Sequence, residues 1–158
     1  MKTLVITDLH LSNKISGFLD EQVKCITKIC SDAKPDDIII MGDVFMNRRP
    51  TPSELLGFKQ ILDFVGSDSS VTVLRGNHDS ETKADDGISA LSVFESTFTD
   101  VTIIKHTTTD PLTRRVYIPH YENQETIKKA LDEVPEGYFV FGHFGYRGCL
   151  NSAGDADF

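Results

Sequence analysis

Four apolar runs in the sequence each lead directly into polar residues of types that bind metal ions. The runs with their polar ends occupy residues 4–10, 38–43, 71–79 and 138–143. In a parallel sheet the carboxyl ends of the strands lie at one edge, and ligands bind at that edge. The sequence therefore predicts one metal-binding edge that is assembled from four distant segments.

The polar ends supply a mixed set of oxygen and nitrogen ligands. Asp8 and His10 are two residues apart and project to the same side of an extended chain, so both can bind one cation. Asp43 follows a glycine that permits close backbone approach, and its two carboxylate oxygens can bridge two cations. Asn77 offers an amide oxygen and His143 a ring nitrogen. Oxygen and imidazole ligands without thiolate suit manganese, iron or zinc rather than magnesium or calcium alone.

Such a ligand set predicts phosphoryl chemistry. Two cations about 3.5–4 Å apart would clamp a phosphate and lower the pKa of a shared water until hydroxide attacks in line. His78 is adjacent to Asn77 but is not needed as a ligand, so we expect it to protonate the leaving oxygen or to stabilise charge on the phosphoryl oxygens. Asp79 is expected to hold the His78 ring. His78 and Asp79 are thus the predicted catalytic residues.

Positive charge gathers near the same strand ends. Four of the six arginines lie within a few residues of them, namely Arg48, Arg49, Arg75 and Arg147. A single arginine in such a place is most often a solvated surface charge. As a set, the four suggest binding of an anionic substrate.

Hydrophobic periodicity predicts the elements that position these side chains. Helices are predicted at residues 18–30, 51–65, 88–94 and 123–134, and strands at residues 4–7, 38–41, 71–74, 101–104, 115–118 and 138–141. Thr51, Pro52 and Glu54 form a capping box with proline at the first helical position, and Asn123 is an expected N-cap. Strands and helices that alternate in the first half predict parallel crossovers.

Size and charge limit the class of protein. A chain of 158 residues with 39% hydrophobic and 25% charged residues is typical of one soluble globular domain. Near the N-terminus only residues 4–6 are consecutively apolar, which is too short for a signal peptide or a membrane span, so we expect a cytoplasmic protein without a membrane partner. The net charge of −8 argues against binding nucleic acid by bulk charge alone.

Four motifs resemble those of the calcineurin-like metallophosphoesterase superfamily. In chain order they are Asp8-x-His10, Gly42-Asp43, Gly76-Asn77-His78-Asp79 and Gly142-His143. Residues 7–11, 42–45 and 49–50 are similar to SbcD-like nuclease subunits of bacteria and phages, although Met46 stands where an Asp is common in that branch. The resemblance implies an α/β (α+β) fold, a four-layer α-β-β-α sandwich with the site where the strand ends of its two sheets converge.

The same resemblance implies residue roles. It assigns the first metal to Asp8 and His10, the bridging position to Asp43, the second metal to Asn77 and His143, and catalysis to His78. His120 lies in a segment expected near the site and is therefore a candidate substrate contact. Without a partner in the sequence, a histidine is nevertheless more often a surface or core residue than a ligand.

The fifth motif of the superfamily, Gly-His-x-His, is missing from the sequence. Each metal would then keep three protein ligands from this chain. Three explanations remain open: the sequence is a fragment, a complementing C-terminal polypeptide supplies the motif, or metal binding is weakened. The segment through which SbcD-like subunits bind their SbcC-like ATPase partner is missing as well, and an exposed sheet edge would favour association, for example as a homodimer.

Together with the resemblance, these observations predict that residues 1–158 form one metallophosphoesterase domain, an SbcD-like DNA endonuclease or exonuclease. We expect it to use two divalent cations, manganese first, with iron, zinc or magnesium as alternatives. One alternative is a small-molecule phosphodiesterase or phosphatase of the same fold. Another is a catalytically impaired fragment that needs a second polypeptide. The plainest interpretation, in which Asp8 and Asp43 only cap helices or bind loop amides, is disfavoured because four strand ends share the pattern.

Overall fold

Two β-sheets lie face to face and form the centre of the molecule. The computed structural model describes residues 1–66, 68–95 and 97–145. The first sheet is parallel throughout, with the order β1-β2-β3-β4 and the strands Thr3–Ile6, Asp37–Ile40, Ser70–Leu74 and Val101–Ile104. In the second sheet β5 is antiparallel and β7 parallel to the central β6, and the strands are Thr108–Asp110, Arg115–Ile118 and Phe139–Gly142.

The helices begin where the sequence predicts them. They are α1 at Phe18–Ala33, α2 at Pro52–Val65, a short 3-10 helix at Ala90–Phe94 and α3 at Gln124–Asp132. The capping box of α2 is confirmed, because the Glu54 N–H donates to the Thr51 hydroxyl at 3.3 Å and the Glu54 carboxylate accepts the Thr51 N–H at 2.7 Å. Asn123 caps α3 by accepting the Glu125 N–H at 3.0 Å.

Alternation along the central strands produces four layers. In β2, Ile38 and Ile40 belong to the core that α1 and α2 cover. Ile39 points the other way and packs with Tyr117 of the second sheet. On the far face of that sheet, Val116 and Ile118 join a third cluster with side chains of α3. The predicted four-layer α-β-β-α architecture is therefore confirmed.

A buried ion pair joins the two sheets at the end where β2 and β6 begin. The Arg115 guanidinium donates to the Asp37 carboxylate at 2.6 Å and to the Thr3 hydroxyl at 2.8 Å. Both charged side chains are nearly inaccessible, with 11% and 7% exposure for Arg115 and Asp37. Since parallel strands carry their ligand-bearing loops at the opposite end, this pair holds the sandwich together away from those loops.

Strand β5 was not predicted from the sequence. Its residues are Thr-Thr-Asp, too few and too polar to show a period, and pairing with β6 alone makes them a strand. Among the described residues, β7 is an edge strand of the second sheet, and its Phe139 is 70% exposed. Among the described residues, no helix is both long enough and apolar enough to cross a membrane.

Candidate metal centre

Three predicted ligands stand on strained backbone directly after β1 and β2. Asp8, His10 and Asp43 have φ angles of 54°, 45° and 51°, in the left-handed region that residues other than glycine rarely adopt. Hydrogen bonds hold the two loops side by side, with the His10 N–H donating to the Asp43 carbonyl at 3.0 Å. Strain of this kind at adjacent strand ends is typical of functional sites.

Two glycines allow the loops to approach one another. A Cβ on Gly42 would lie 2.7 Å from Nδ1 of His143 and 2.9 Å from Cα of Gly76. A Cβ on Gly76 would overlap the main chain and carboxylate of Asp43. The loops after β2, β3 and β7 therefore meet at distances that exclude side chains at these positions.

Asp43 lies at the centre of the cluster. Its Oδ2 is 4.0 Å from Nε2 of His10, and its Oδ1 is 3.5 Å from Nε2 of His143. We call the set of His10, Asp43 and His78 the His10 group and the set of Asp8, Asp43 and His143 the His143 group. Within each group the ligand atoms lie within 4.8 Å of one another. Asp43 thus faces His10 with one carboxylate oxygen and His143 with the other.

Asp8 and Asn77 complete the cluster. Oδ1 of Asp8 is 3.5 Å from Nε2 of His10, so Asp8 contacts the His10 side although it also belongs to the His143 group. Oδ1 of Asn77 is 3.1 Å from Nε2 of His143. The structure brings together all five side chains that the sequence predicts as metal ligands.

The tautomer of His143 fits a metal ligand. Nδ1 lies 2.7 Å from the main-chain carbonyl of Met41, and because a carbonyl can only accept, Nδ1 carries the hydrogen. In the neutral ring Nε2 then presents a lone pair to two further acceptors, Oδ1 of Asn77 and Oδ1 of Asp43. Three converging lone pairs repel one another unless a cation lies between them, so the donor set fits a divalent metal ion.

His78 is held in a similar way. Its Nδ1 lies 2.8 Å from the Met46 carbonyl, and its ring meets the His10 ring edge to face with centroids 5.2 Å apart. The His78 N–H donates to Oδ1 of Asp43 at 2.9 Å. His78 is therefore close enough to contact a substrate that is bound at the cluster. Because it belongs to the His10 group, its ring is also close enough to bind a metal ion there.

Asp79 does not hold the His78 ring, which corrects the prediction from the sequence. Its carboxylate is fully buried and accepts the Gly76 N–H at 2.9 Å and the Phe45 N–H at 3.2 Å. Two buried N–H groups in facing loops need an acceptor, and Asp79 supplies both of its oxygens to them. Burial raises the pKa of Asp79 to about 6. Asp79 thus joins the loops after β2 and β3.

The predicted substrate-binding arginines lie in different surroundings. Arg48 donates to the carbonyls of Ser80 and Thr82, at 3.2 and 2.9 Å, and to the Glu122 carboxylate at 3.3 Å. Arg49 is exposed. Arg147 lies outside the described residues. Arg48 therefore already uses its guanidinium within the chain, whereas Arg49 lies on the surface of the part that the structure describes.

Arg75 does not lie on the surface, contrary to its prediction as a substrate contact. Its side chain is 1% exposed, and Nη2 donates to the His120 carbonyl at 2.6 Å. The reason is its position in the chain, since Arg75 directly follows the central strand β3 and its guanidinium reaches the segment after β6, where it also lies over the Tyr121 ring. Direct contact with a bound substrate is excluded in this conformation.

His120 faces the cluster, as expected from the sequence. It lines a cavity of about 320 Å³ together with Asp8, Asn77 and His143. Its ring centroid is 6.2 Å from that of His143, and its Nε2 is 3.7 Å from a carboxylate oxygen of Glu122. Burial lowers the pKa of His120. The predicted role of His120 as a substrate contact is consistent with this position.

Two supporting residues were not predicted. Gln22 of α1 donates to the carbonyls of Leu9 and His10, each at 3.1 Å. Glu54 is 2% exposed and accepts the Asn13 N–H at 3.1 Å in addition to its capping bonds. A glutamine on a helix gives no sequence signal for such a role, because most polar helix residues face solvent. Together these side chains hold the loop that carries Asp8 and His10.

A comparison with protein-family models matches the calcineurin-like phosphoesterase model over residues 1–156. The chain belongs to the calcineurin-like phosphoesterase family. Calcineurin-like phosphoesterases are metal-dependent hydrolases, typically with two metal ions, and the cluster around Asp43 provides candidate ligands for them.

Among solved structures, this calcineurin-like phosphoesterase is similar to the Pseudomonas putida nuclease MPE. The TM-score is 0.48, the sequence identity is 16%, and the match covers 73% of this chain and 52% of that one. The chain thus matches about half the length of the nuclease chain. No curated protein sequence matches it.

Proposed function

We propose that this chain is a dinuclear metal-dependent phosphodiesterase that cleaves DNA, with manganese as its preferred cation. The observation that supports this most directly is the position of Asp43, whose Oδ2 faces His10 and whose Oδ1 faces His143. A carboxylate shared by two sets of ligands suits a pair of cations rather than one. Oxygen and imidazole ligands without thiolate suit manganese, iron or zinc, and of these we propose manganese.

The candidate ligands would bind through atoms that the chain already orients. The family resemblance assigns Asp8 and His10 to the first cation, Asn77 and His143 to the second, and Asp43 to both. When bound, two divalent cations supply positive charge to the phosphate and acidify a water molecule that attacks phosphorus. The carbonyl of Met41 keeps Nε2 of His143 directed at this position.

His78 is proposed as the catalytic residue of the site. The bond to the Met46 carbonyl fixes its Nδ1, which leaves Nε2 for contact with the substrate. From there a protonated ring can donate to a phosphoryl oxygen or give a proton to the leaving oxygen. Asp79 contributes by fixing the loop on which His78 stands, since it binds the N–H groups of Phe45 and Gly76.

DNA as the substrate, and the SbcD-like branch, are supported by residues 7–11, 42–45 and 49–50, which resemble that branch. Arg49 is exposed and lies three residues after Met46, whose carbonyl binds the His78 ring. From there its guanidinium would contact the phosphates of a DNA strand that extends from the scissile phosphate. A homodimer, an ATPase partner or a complementing polypeptide remain predictions. The open edge of β7 offers a surface for such association.

A small-molecule phosphodiesterase or phosphatase is the second candidate. The net charge of −8 weakens long-range attraction of a polyanion, and a cavity of about 320 Å³ accommodates a small ester. Comparing substrates separates the two candidates. A nuclease cleaves single-stranded DNA with a higher kcat/KM than bis(p-nitrophenyl) phosphate, whereas a small-molecule enzyme shows the reverse.

The proposal is tested by hydrolysis of both substrates with and without manganese. We expect activity that requires the metal and that falls by about 100-fold or more in Asp43→Asn, because a neutral amide cannot bridge two cations. Asp63→Asn is the matched control, since Asp63 is a helix carboxylate that pairs, among the described residues, with Lys59 alone. An inactive wild-type chain with saturating manganese, or an unchanged Asp43→Asn variant, would contradict the proposal.

A further inference from the structure

Arg75 is a buried cation that has no carboxylate partner among the residues the structure describes. Its side chain is 1% exposed, and its Nε is buried without a hydrogen-bond partner. The guanidinium lies over the Tyr121 ring, 5.7 Å from the centroid, and donates to a single main-chain carbonyl. Burying a charge that no anion neutralises costs free energy of folding. Packing alone therefore does not explain why an arginine occupies this position.

A second buried arginine, Arg115, does have a carboxylate partner. Arg115 is also buried between the sheets, but its guanidinium binds the Asp37 carboxylate at 2.6 Å and the Thr3 hydroxyl at 2.8 Å. Arg115 lies at the end of the sandwich away from the metal-binding loops, whereas Arg75 immediately precedes Gly76 and Asn77. Of these two buried arginines, the one without a carboxylate partner in the described part of the chain is the one beside the candidate metal centre.

Arg75 fixes the main chain of His120 from both sides. The His120 N–H donates to the Arg75 carbonyl at 2.9 Å, and the Arg75 guanidinium donates to the His120 carbonyl at 2.6 Å. Two hydrogen bonds between one pair of residues set the position of His120 relative to the end of β3. Because Asn77 and His78 follow on that same loop, His120 is placed in a fixed relation to them.

The ring of His120 is a wall of the cavity that holds the candidate ligands. It shares this cavity with Asp8, Asn77 and His143, and its centroid is 6.2 Å from that of His143. His120 belongs to neither the His10 group nor the His143 group. It is thus a polar side chain in the site that is held in position but has no place in the predicted ligand set.

We infer that His120 contacts the bound phosphoester and that Arg75 is the positioning residue that holds it there. The inference rests on the proposed function, because it requires a phosphoester in the cavity. His120 stands beside His143, whereas His78 stands beside His10, so the two histidines reach the phosphate from different sides. A polar contact on the His143 side stabilises charge that develops on the phosphoryl oxygens.

The test compares His120→Asn, Arg75→Lys and the double variant in manganese-dependent hydrolysis of bis(p-nitrophenyl) phosphate. We expect kcat/KM to fall by about tenfold or more in His120→Asn, the usual range for losing one hydrogen bond to a charged group. Arg75→Lys keeps the charge but lacks the planar fork that binds the carbonyl, so it should also lose activity. Because Arg75 acts through His120, kcat/KM of the double variant should lie within about twofold of that of His120→Asn.

Two further measurements separate this role from a purely structural one. Manganese affinity, measured by isothermal titration calorimetry, should stay within about twofold of wild type in His120→Asn, since His120 is not a ligand. Arg115→Lys is the control for disturbing a buried arginine: it should lower the free energy of unfolding but leave kcat/KM of the folded protein unchanged.

The inference is overturned if His120→Asn keeps kcat/KM within about twofold of wild type, an effect smaller than one lost hydrogen bond. It is also overturned if the losses of kcat/KM in Arg75→Lys and His120→Asn multiply in the double variant. The same holds if His120→Asn lowers manganese affinity in parallel with kcat/KM. Should Arg75→Lys fail to fold, the result for His120→Asn decides. A wild-type protein without manganese-dependent hydrolysis contradicts the proposed function itself, so the two failures are distinguishable.

Discussion

Nε2 of His143 lies 3.5 Å from Oδ1 of Asp43, although the two residues follow strands of different sheets. The contact forms because the end of β7 lies beside the loop that follows β2. There, Nδ1 of the His143 ring binds the Met41 carbonyl. The other oxygen of Asp43 faces His10. One carboxylate therefore connects the ligand-bearing loops of both sheets.

Gly42→Ala should disrupt this convergence. A Cβ there would lie 2.7 Å from Nδ1 of His143, and the φ of 102° disfavours any side chain. We expect the free energy of unfolding to fall by about 1–3 kcal/mol and manganese affinity to fall with it, measured by urea denaturation and by calorimetry. Gly137→Ala is the matched control, because Gly137 has a φ of 80° but no atom within 4 Å of the added Cβ.

Gly137→Ala should lower stability by about 1 kcal/mol through backbone strain alone and leave manganese affinity unchanged. If Gly42→Ala binds manganese as tightly as Gly137→Ala does, the close approach of the loops after β2 and β7 does not serve metal binding.

His78→Asn should separate catalysis from metal binding. As a proton donor or charge stabiliser, His78 would contribute about 100-fold or more to kcat, while manganese affinity would remain close to that of wild type. Steady-state kinetics and calorimetry on the same preparation measure both quantities. A parallel loss of metal affinity would show instead that His78 is a ligand of the His10 group.

Asp79 should make stability depend on pH in an unusual direction. Burial raises its pKa to about 6 in the folded state, from 3.8, so folding takes up a proton between these values. The stabilisation from this proton is fully present below pH 4 and is lost as pH rises through 6. Relative to Asp79→Asn, the free energy of unfolding of metal-free wild type, measured by urea denaturation, should rise by about 2 kcal/mol between pH 6 and pH 4.

Asp110→Asn is the control of opposite sign. A hydrogen bond from the Thr113 hydroxyl lowers the pKa of Asp110, so its contribution is present at neutral pH and is lost as the pH falls through the folded-state pKa. For Asp79, the difference in the free energy of unfolding between wild type and Asp79→Asn should grow as the pH falls. For Asp110, the corresponding difference should shrink. The account of Asp79 fails if its difference shrinks as well.

Asp37→Ala should destabilise the sandwich without affecting the metal centre. Removing one partner of a buried ion pair typically costs about 3–5 kcal/mol, and here it leaves the Arg115 guanidinium without its carboxylate. Chemical denaturation measures the loss. Asp32→Ala, which breaks an exposed helix pair with Lys28, should change stability by only about 0.5 kcal/mol. Similar costs for both variants would contradict the structural role of the Arg115–Asp37 pair.

The sequence predicts the cluster well because of one geometric rule. Parallel strands end at a common edge, so Asp8, Asp43 and Asn77 had to meet once β1, β2 and β3 were identified. His143 follows by the same logic only with the second sheet in place, since β7 pairs with β6 and not with the first sheet. That pairing depends on long-range packing, which a single sequence reveals through family resemblance rather than periodicity.

The errors concern the direction of side chains. Arg75 and Asp79 both lie within a few residues of a predicted ligand, and proximity in the sequence suggested that both face the substrate. In the structure the Arg75 guanidinium binds the main-chain carbonyl of His120, and Asp79 accepts from main-chain N–H groups. Residues that follow a central strand can face either side, and only the need to satisfy buried donors and acceptors decides between them.

The number and position of metal ions per chain test the central claim most directly. Crystals grown with manganese and measured at its absorption edge should show two anomalous peaks, one on the His10 side and one on the His143 side of the Asp43 carboxylate. Asp43→Asn crystals should lose at least one of them. No peak beside Asp43, or a single peak bound elsewhere on the chain, would contradict the account.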